Sequence, residues 1–207
     1  GVLLMATQSS RSIVSEVSIC NVALTGLGQK PIRSLDDQGA AAEWMRVNYP
    51  AKRDAVIESR KWTFATWRAK STSQDLDTWG IQYLHPRPLN WFSVFRVYSR
   101  VSNAGFTIDK SFRVEGDYVV SRYSTVYMWC IRQITDTAKF TPLFAEALSA
   151  RLEADAAIPL TQDAQTSRDK WALYEAKLPD AASIDGQQGG SDEIVSNQLI
   201  DARYGIR

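Results

Sequence analysis

The hydrophobic period changes twice along this chain, and that change limits the fold more than any single motif does. Up to about residue 60 the apolar positions recur at three-and-four spacing, residues 75 to 135 follow strand usage, and beyond Pro142 the helical spacing returns. Val17, Cys20, Leu24 and Leu27 form one buried stripe that opens at Ser15, an N-cap residue, and Gly26 with Gly28 offer a left-handed exit before Pro31. The loop from Arg33 to Gly39 offers an aspartate cap to a second helix containing Ala40 to Tyr49. Pro50 starts a new helix or kinks this one, and Ala51 to Arg60 is helical again. Trp62, Phe64 and Trp67 then crowd large rings into a short stretch that buries well only against another layer.

In the middle of the chain, Phe92, Val94, Arg96 and Tyr98 alternate with Trp91, Phe95, Val97 and Ser99 across two faces. Phe112 to Glu115 and Tyr118 to Ser121 flank Gly116-Asp117 as a hairpin would, and Tyr127 to Ile131 reads as a further strand. Pro86 and Pro88 confine Leu84 to Leu89 to a loop or a sheet edge. Thr141-Pro142 caps a helix whose Phe144, Leu148, Leu152 and Ala156 recur every four residues. A last helix runs from the cap Asp163 through Ser167, Trp171, Tyr174 and Leu178 to Pro179, and Gly186 to Ser191 reads as a flexible linker.

These signals predict an α+β fold, with a helical bundle built from both chain halves, an inserted antiparallel β domain and an extended C-terminal arm. The expected boundaries are an N-terminal arm over 1–14, the bundle over 15–74 and 140–188, the β insertion over 75–139 and the arm over 189–207. Met5-Ala6-Thr7 reads as a natural start, which leaves Gly1 to Leu4 outside the fold.

Composition narrows the chemistry. Cys20 and Cys130 are too few and too far apart for a zinc site or a disulfide framework, and as isolated thiols they are expected to be buried hydrophobes. With His85 as the single histidine, no metal and no cofactor are predicted. No apolar run approaches the roughly 20 residues needed to cross a bilayer, so no membrane partner is expected. A formal net charge of +1 removes the bulk attraction to phosphate that drives sequence-independent DNA wrapping.

Four segments carry a resemblance, in order, over residues 15 to 182. They are Tyr49-Pro50-Ala51-Lys52-Arg53-Asp54 leading to Trp62-Thr63-Phe64-Ala65; Phe112 to Val120; Tyr127 to Asp136; and Phe140 to Leu152. Together they resemble the tail tubular protein A family, the head-to-tail adaptors, or gatekeepers, of short-tailed bacteriophages. The chain departs from that family where a leucine-proline pair and an aspartate usually precede the first long strand; here the run is Tyr83 to Asn90. The resemblance implies a structural virion protein of the tail, assembled in the host cytoplasm. Its implied form is a homo-oligomeric, dodecameric ring between the portal protein and the tail nozzle (tail tubular protein B), with DNA passing non-specifically through the lumen during ejection. It implies no catalytic residue and no enzyme activity.

Seven tryptophans and eight tyrosines exceed what one core of this size readily encloses, and both types dominate interfaces. Trp79, Trp91, Tyr98 and Tyr123 are therefore candidates for a subunit or nozzle interface. Charge is uneven: residues 86 to 132 hold seven basic side chains against three acids, whereas 180 to 207 hold five acids, Asp185 among them, against two arginines. In that last stretch Ile194, Leu199, Ile200 and Tyr204 want a groove and Arg203 an acid, which makes the arm a candidate portal-binding segment. Two other classes stay open: a tail-associated glycan hydrolase using Glu115 with Asp117 or Glu146 with Glu153, and a DNA-binding channel module.

Overall fold

A computed structural model describes residues 14–77, 79–80, 82–100 and 105–187. Helix α1 (Glu16–Gly26) starts as expected. Ser15 Oγ accepts from the Ser18 amide at 3.1 Å, and the Ser18 hydroxyl accepts from the Ser15 amide at 2.9 Å, so two otherwise orphaned donors are satisfied. Helix α2 (Ala40–Ser59) is one continuous helix through Pro50. Its N-cap is Gly39, without a side-chain bond. No aspartate of the preceding loop caps it; Asp37 instead closes that loop by accepting from the amides of Arg33 and Ser34 at 2.7 and 3.2 Å.

After α2 the chain makes one 3-10 turn at Thr63–Ala65 and enters strand β1 (Thr66–Thr72) directly. The remaining strands are β2 (Tyr83–Pro86), β3 (Trp91–Arg100), β4 (Phe106–Ile108), β5 (Arg113–Glu115), β6 (Tyr118–Ser121) and β7 (Thr125–Arg132). They form two antiparallel sheets, ordered β1-β7-β3-β4 and β2-β6-β5. The expected hairpin is β5-β6, with Gly116 at φ +57° in the turn, a backbone region where a Cβ is disfavoured. The proline-bearing segment is β2, an edge strand, where a missing amide donor costs no ladder bond.

Two helices complete the chain. Helix α3 (Pro142–Thr161) is capped by Thr141 Oγ1, which accepts from the Phe144 amide at 3.2 Å, and α4 (Ala164–Gln187) runs back along it. Both pass through an internal proline, Pro159 and Pro179; α4 does not stop at Pro179, and Gly186 belongs to the helix. Alanines at 145, 147, 150, 154, 156 and 157 and the larger Phe144, Leu148 and Leu152 are all buried, so α3 is covered over most of its surface.

The α+β class holds, but the bundle expected from both chain halves does not form. α1 and α2 lean on α3 rather than closing with each other. Ser149 Oγ donates to the Ile19 carbonyl at 3.1 Å, and Lys52 pairs with Asp155 at 2.9 Å. Nor is the β region confined to an insertion after residue 75, because β1 comes from the stretch assigned to the helical part and pairs with β7 over seven positions. Periodicity shows which face of a helix is apolar; it does not show which element covers it. Among the described residues, no helix is long and apolar enough to cross a membrane.

Two cores result. The larger joins the helices to the sheet through a ring cluster in which Trp62 meets Phe144 edge-on at 4.9 Å, Phe64 meets Phe144 at 4.9 Å and Phe140 meets Phe144 at 4.7 Å. The Trp62 indole also donates to the Val56 carbonyl at 2.9 Å, so burying the ring leaves no orphaned donor. The smaller core lies where Val119 of β6 packs on Val97, Val126, Met128 and Cys130 of the four-stranded sheet.

Candidate interaction face

The opposite face of the four-stranded sheet carries the most distinctive chemistry. Antiparallel register places Arg68 and Arg96 on either side of Trp129, and Lys70 and Tyr98 on either side of Tyr127. Directly paired residues share a sheet face, so these side chains form two rows. The Arg68 guanidinium lies 4.3 Å from the Trp129 ring centroid and that of Arg96 lies 5.8 Å away; Lys70 is 5.7 Å from the Tyr127 ring. Each such interaction contributes on the order of 0.5–1 kcal/mol at an exposed site. Arg96 Nη1 also donates to the Tyr98 hydroxyl at 3.1 Å. On β4, Phe106 stands edge-on to Tyr127 at 4.9 Å and 61% exposed, opposite Arg100.

A β-bulge explains why strict alternation misplaces part of β3. Val94 pairs with Cys130 and Arg96 with Trp129, so one extra residue, Phe95, is taken up between them. Val94 and Arg96, of the same parity in sequence, therefore end on opposite faces. Phe95 meets Trp129 edge-on at 6.2 Å and receives the Lys61 ammonium at 4.7 Å. Between the rows lies an open groove of about 470 Å³, lined by Arg68, Lys70, Tyr98, Phe106, Tyr127 and Trp129 with the backbone side of Ala69; none of these is acidic. Among the described residues, neither Arg68 nor Lys70 has a carboxylate partner.

On the inner side, His85 of β2 is fully buried between the sheets. Its Nε2 lies 2.9 Å from the Tyr123 carbonyl, which can only accept, so Nε2 carries the hydrogen and Nδ1 accepts from Ser71 Oγ at 3.1 Å. Burial lowers its pKa from the ordinary 6.5, against the opposing pull of the bond to Tyr123. Asp109 is also fully buried; burial alone would raise its pKa, but hydrogen bonds from Ser121 at 2.6 Å and Ser111 at 2.7 and 2.9 Å, with the Arg122 charge, bring the net shift below 3.8. Both cysteines are free and buried, as expected. Burial foremost, then the Glu16 carboxylate, push the Cys20 thiol up to about 12.

The four interface candidates are not brought together. Trp79 is 81% exposed in the turn between β1 and β2. Trp91 is only 8% exposed, with the Arg87 guanidinium 4.5 Å over its ring, and it belongs to the smaller core. Tyr123 is half-buried and gives its carbonyl to His85, with Arg122 over its ring at 5.5 Å. Of the four, Tyr98 alone lines the groove. The arm residues Ile194, Leu199, Ile200, Arg203 and Tyr204 lie outside the described residues.

The carboxylates considered for glycan cleavage have other engagements. Glu115 at the end of β5 pairs with Arg113 at 3.0 Å, and Asp117 in the exposed turn pairs with Arg87 at 3.8 Å. Glu153 is buried against Lys170 at 2.6 Å, while Glu146 is exposed near Lys177. Asp185, counted in sequence with an acidic tail, is buried at the end of α4, where it accepts from the Thr63 amide at 2.6 Å and hydroxyl at 2.9 Å.

Sequence reasoning missed Arg68, Lys70, Phe106, Tyr127 and Trp129 as a group. The available signal was the basic excess of 86–132 combined with the alternation of Tyr127 and Trp129, but the register that adds β1 was not visible. No protein-family model matches the chain, and neither does any curated protein.

Proposed function

We propose that the chain is a structural head-to-tail adaptor of the tail tubular protein A kind, joining a phage portal to the tail nozzle in a homo-oligomeric ring. The observation that supports this reading best is the set of large apolar side chains left open on the β half. Leu89 is 93% exposed in the turn before β3, and Trp79, Trp67, Leu76, Ile108 and Val114 are also open to solvent. Side chains of that size, spread over turns and edge strands, are what a ring subunit with lateral and axial neighbours would cover. The segments that carry the resemblance also fall on joints of the fold: the passage from α2 through Trp62 into β1, the β5-β6 hairpin, strand β7, and the capped start of α3. Portal attachment is assigned to the arm over 189–207.

The test mixes the purified chain with the portal protein of its phage and follows assembly by gel filtration and negative-stain microscopy. Rings stacked on the portal are expected with the full chain and not with a chain ending at residue 189. A full chain that stays monomeric beside the portal overturns the adaptor reading, whereas retained binding by the shortened chain overturns only the role of the arm.

A further inference from the structure

The net charge of the whole chain hides a local concentration. On the open face of the four-stranded sheet, Arg68 and Lys70 of β1 and Arg96 of β3 flank Trp129 and Tyr127 of β7, Arg100 of β3 lies opposite Phe106 of β4, and no acidic residue lines the groove. Along one strand, alternate residues on the same face are spaced about 6.6 Å apart. The cations thus form two short rows, with rings between them and Phe106 standing exposed at the edge. The ligand complementary to this arrangement is a polyanion whose charges are strung between flat apolar plates.

We propose that this face binds single-stranded nucleic acid without sequence preference, the phosphates tracking Arg68, Lys70 and Arg100 and a base stacking on Phe106 at the groove. A duplex keeps its base faces stacked inside and offers the rings nothing. A run of glutamates offers charge but no flat plate for Phe106 or Tyr98. Base stacking on exposed rings is indifferent to base identity because every base has a π face. The inference stands on the sheet face alone and does not depend on the adaptor reading.

Fluorescence anisotropy of the full chain with a labelled oligothymidylate of about twelve nucleotides tests it, titrated between about 50 and 200 mM salt. The expected result is salt-sensitive binding of the single strand, with the matching duplex and an abasic strand of equal length weaker. Phe106→Ala should weaken the single strand about tenfold and leave the salt slope unchanged. Arg68→Gln with Lys70→Gln should instead lower the slope by about 1.4, roughly 0.7 for each phosphate that is no longer neutralised. All three side chains point outward, and thermal melts confirm that each variant is folded. The proposal is overturned by no binding at the lowest salt, by equal binding of the strand to wild type and both variants, or by tighter, Phe106-dependent binding of an oligoglutamate, which would assign the face to a protein partner.

Discussion

His85 shows how closely a single residue's protonation is tied to the fold. Its two ring nitrogens are committed to Tyr123 and Ser71, and a second ring proton would place a charge between the sheets. Its folded-state pKa lies below the ordinary 6.5, so above pH 6.5 both folded and unfolded chains hold it neutral and it costs nothing. As the pH falls below 6.5 the unfolded chain binds the proton first, and stability declines until the folded-state value is reached. Melting temperatures measured from pH 7.5 down to 5 should therefore begin to drop near pH 6.5, as the unfolding free energy falls by about 1.4 kcal/mol for each unit separating the two pKa values. His85→Gln should flatten that part of the profile; an unchanged slope in the variant would locate the acid sensitivity elsewhere. In the sequence two prolines and no nucleophile motif surround His85, which favours a structural role over a catalytic one. Its partners, 14 and 38 residues away, were beyond local reasoning.

At the scale of elements, tertiary anchors override local stop signals. Pro179 forfeits one backbone bond and crowds the preceding turn, yet α4 continues to Gln187 because Asp185 is held by the amide and hydroxyl of Thr63 across the helix-to-sheet passage. Replacing Asp185 with alanine removes the acceptor of both Thr63 hydrogen bonds and should cost about 1–3 kcal/mol. Urea denaturation should show this as a lower midpoint at unchanged slope, with amide exchange speeding up over residues 180–187; a neutral variant would show that α4 does not need the anchor. The same kind of distant partner explains β1. Thr66 to Thr72 carries no strong strand signal of its own, and it becomes a strand because β7 presents a complementary ladder.

For the whole molecule, the two cores meet within one strand: Ile131 belongs to the helix-side cluster and Cys130 to the sheet-side one. Neither side can loosen without disturbing β7, so a single cooperative transition is expected. Far-UV circular dichroism and tryptophan fluorescence should report coincident urea midpoints, and separated midpoints would show that the sheets unfold as a unit of their own. The α+β class and most elements were legible because helix caps, turn glycines and apolar period are local. The arrangement of helices around α3 and the composition of the cationic face were not, since both depend on pairings between distant parts of the chain.

The cations above Trp129 and Tyr127 also govern self-association. Two copies meeting sheet to sheet would bring Arg68, Lys70 and Arg100 of one against the same charges of the other, while the exposed rings by themselves would favour stacking. Like charges make that symmetric encounter unfavourable at low salt, so this ring-bearing face resists aggregation with its own kind and stays open to a partner of opposite sign.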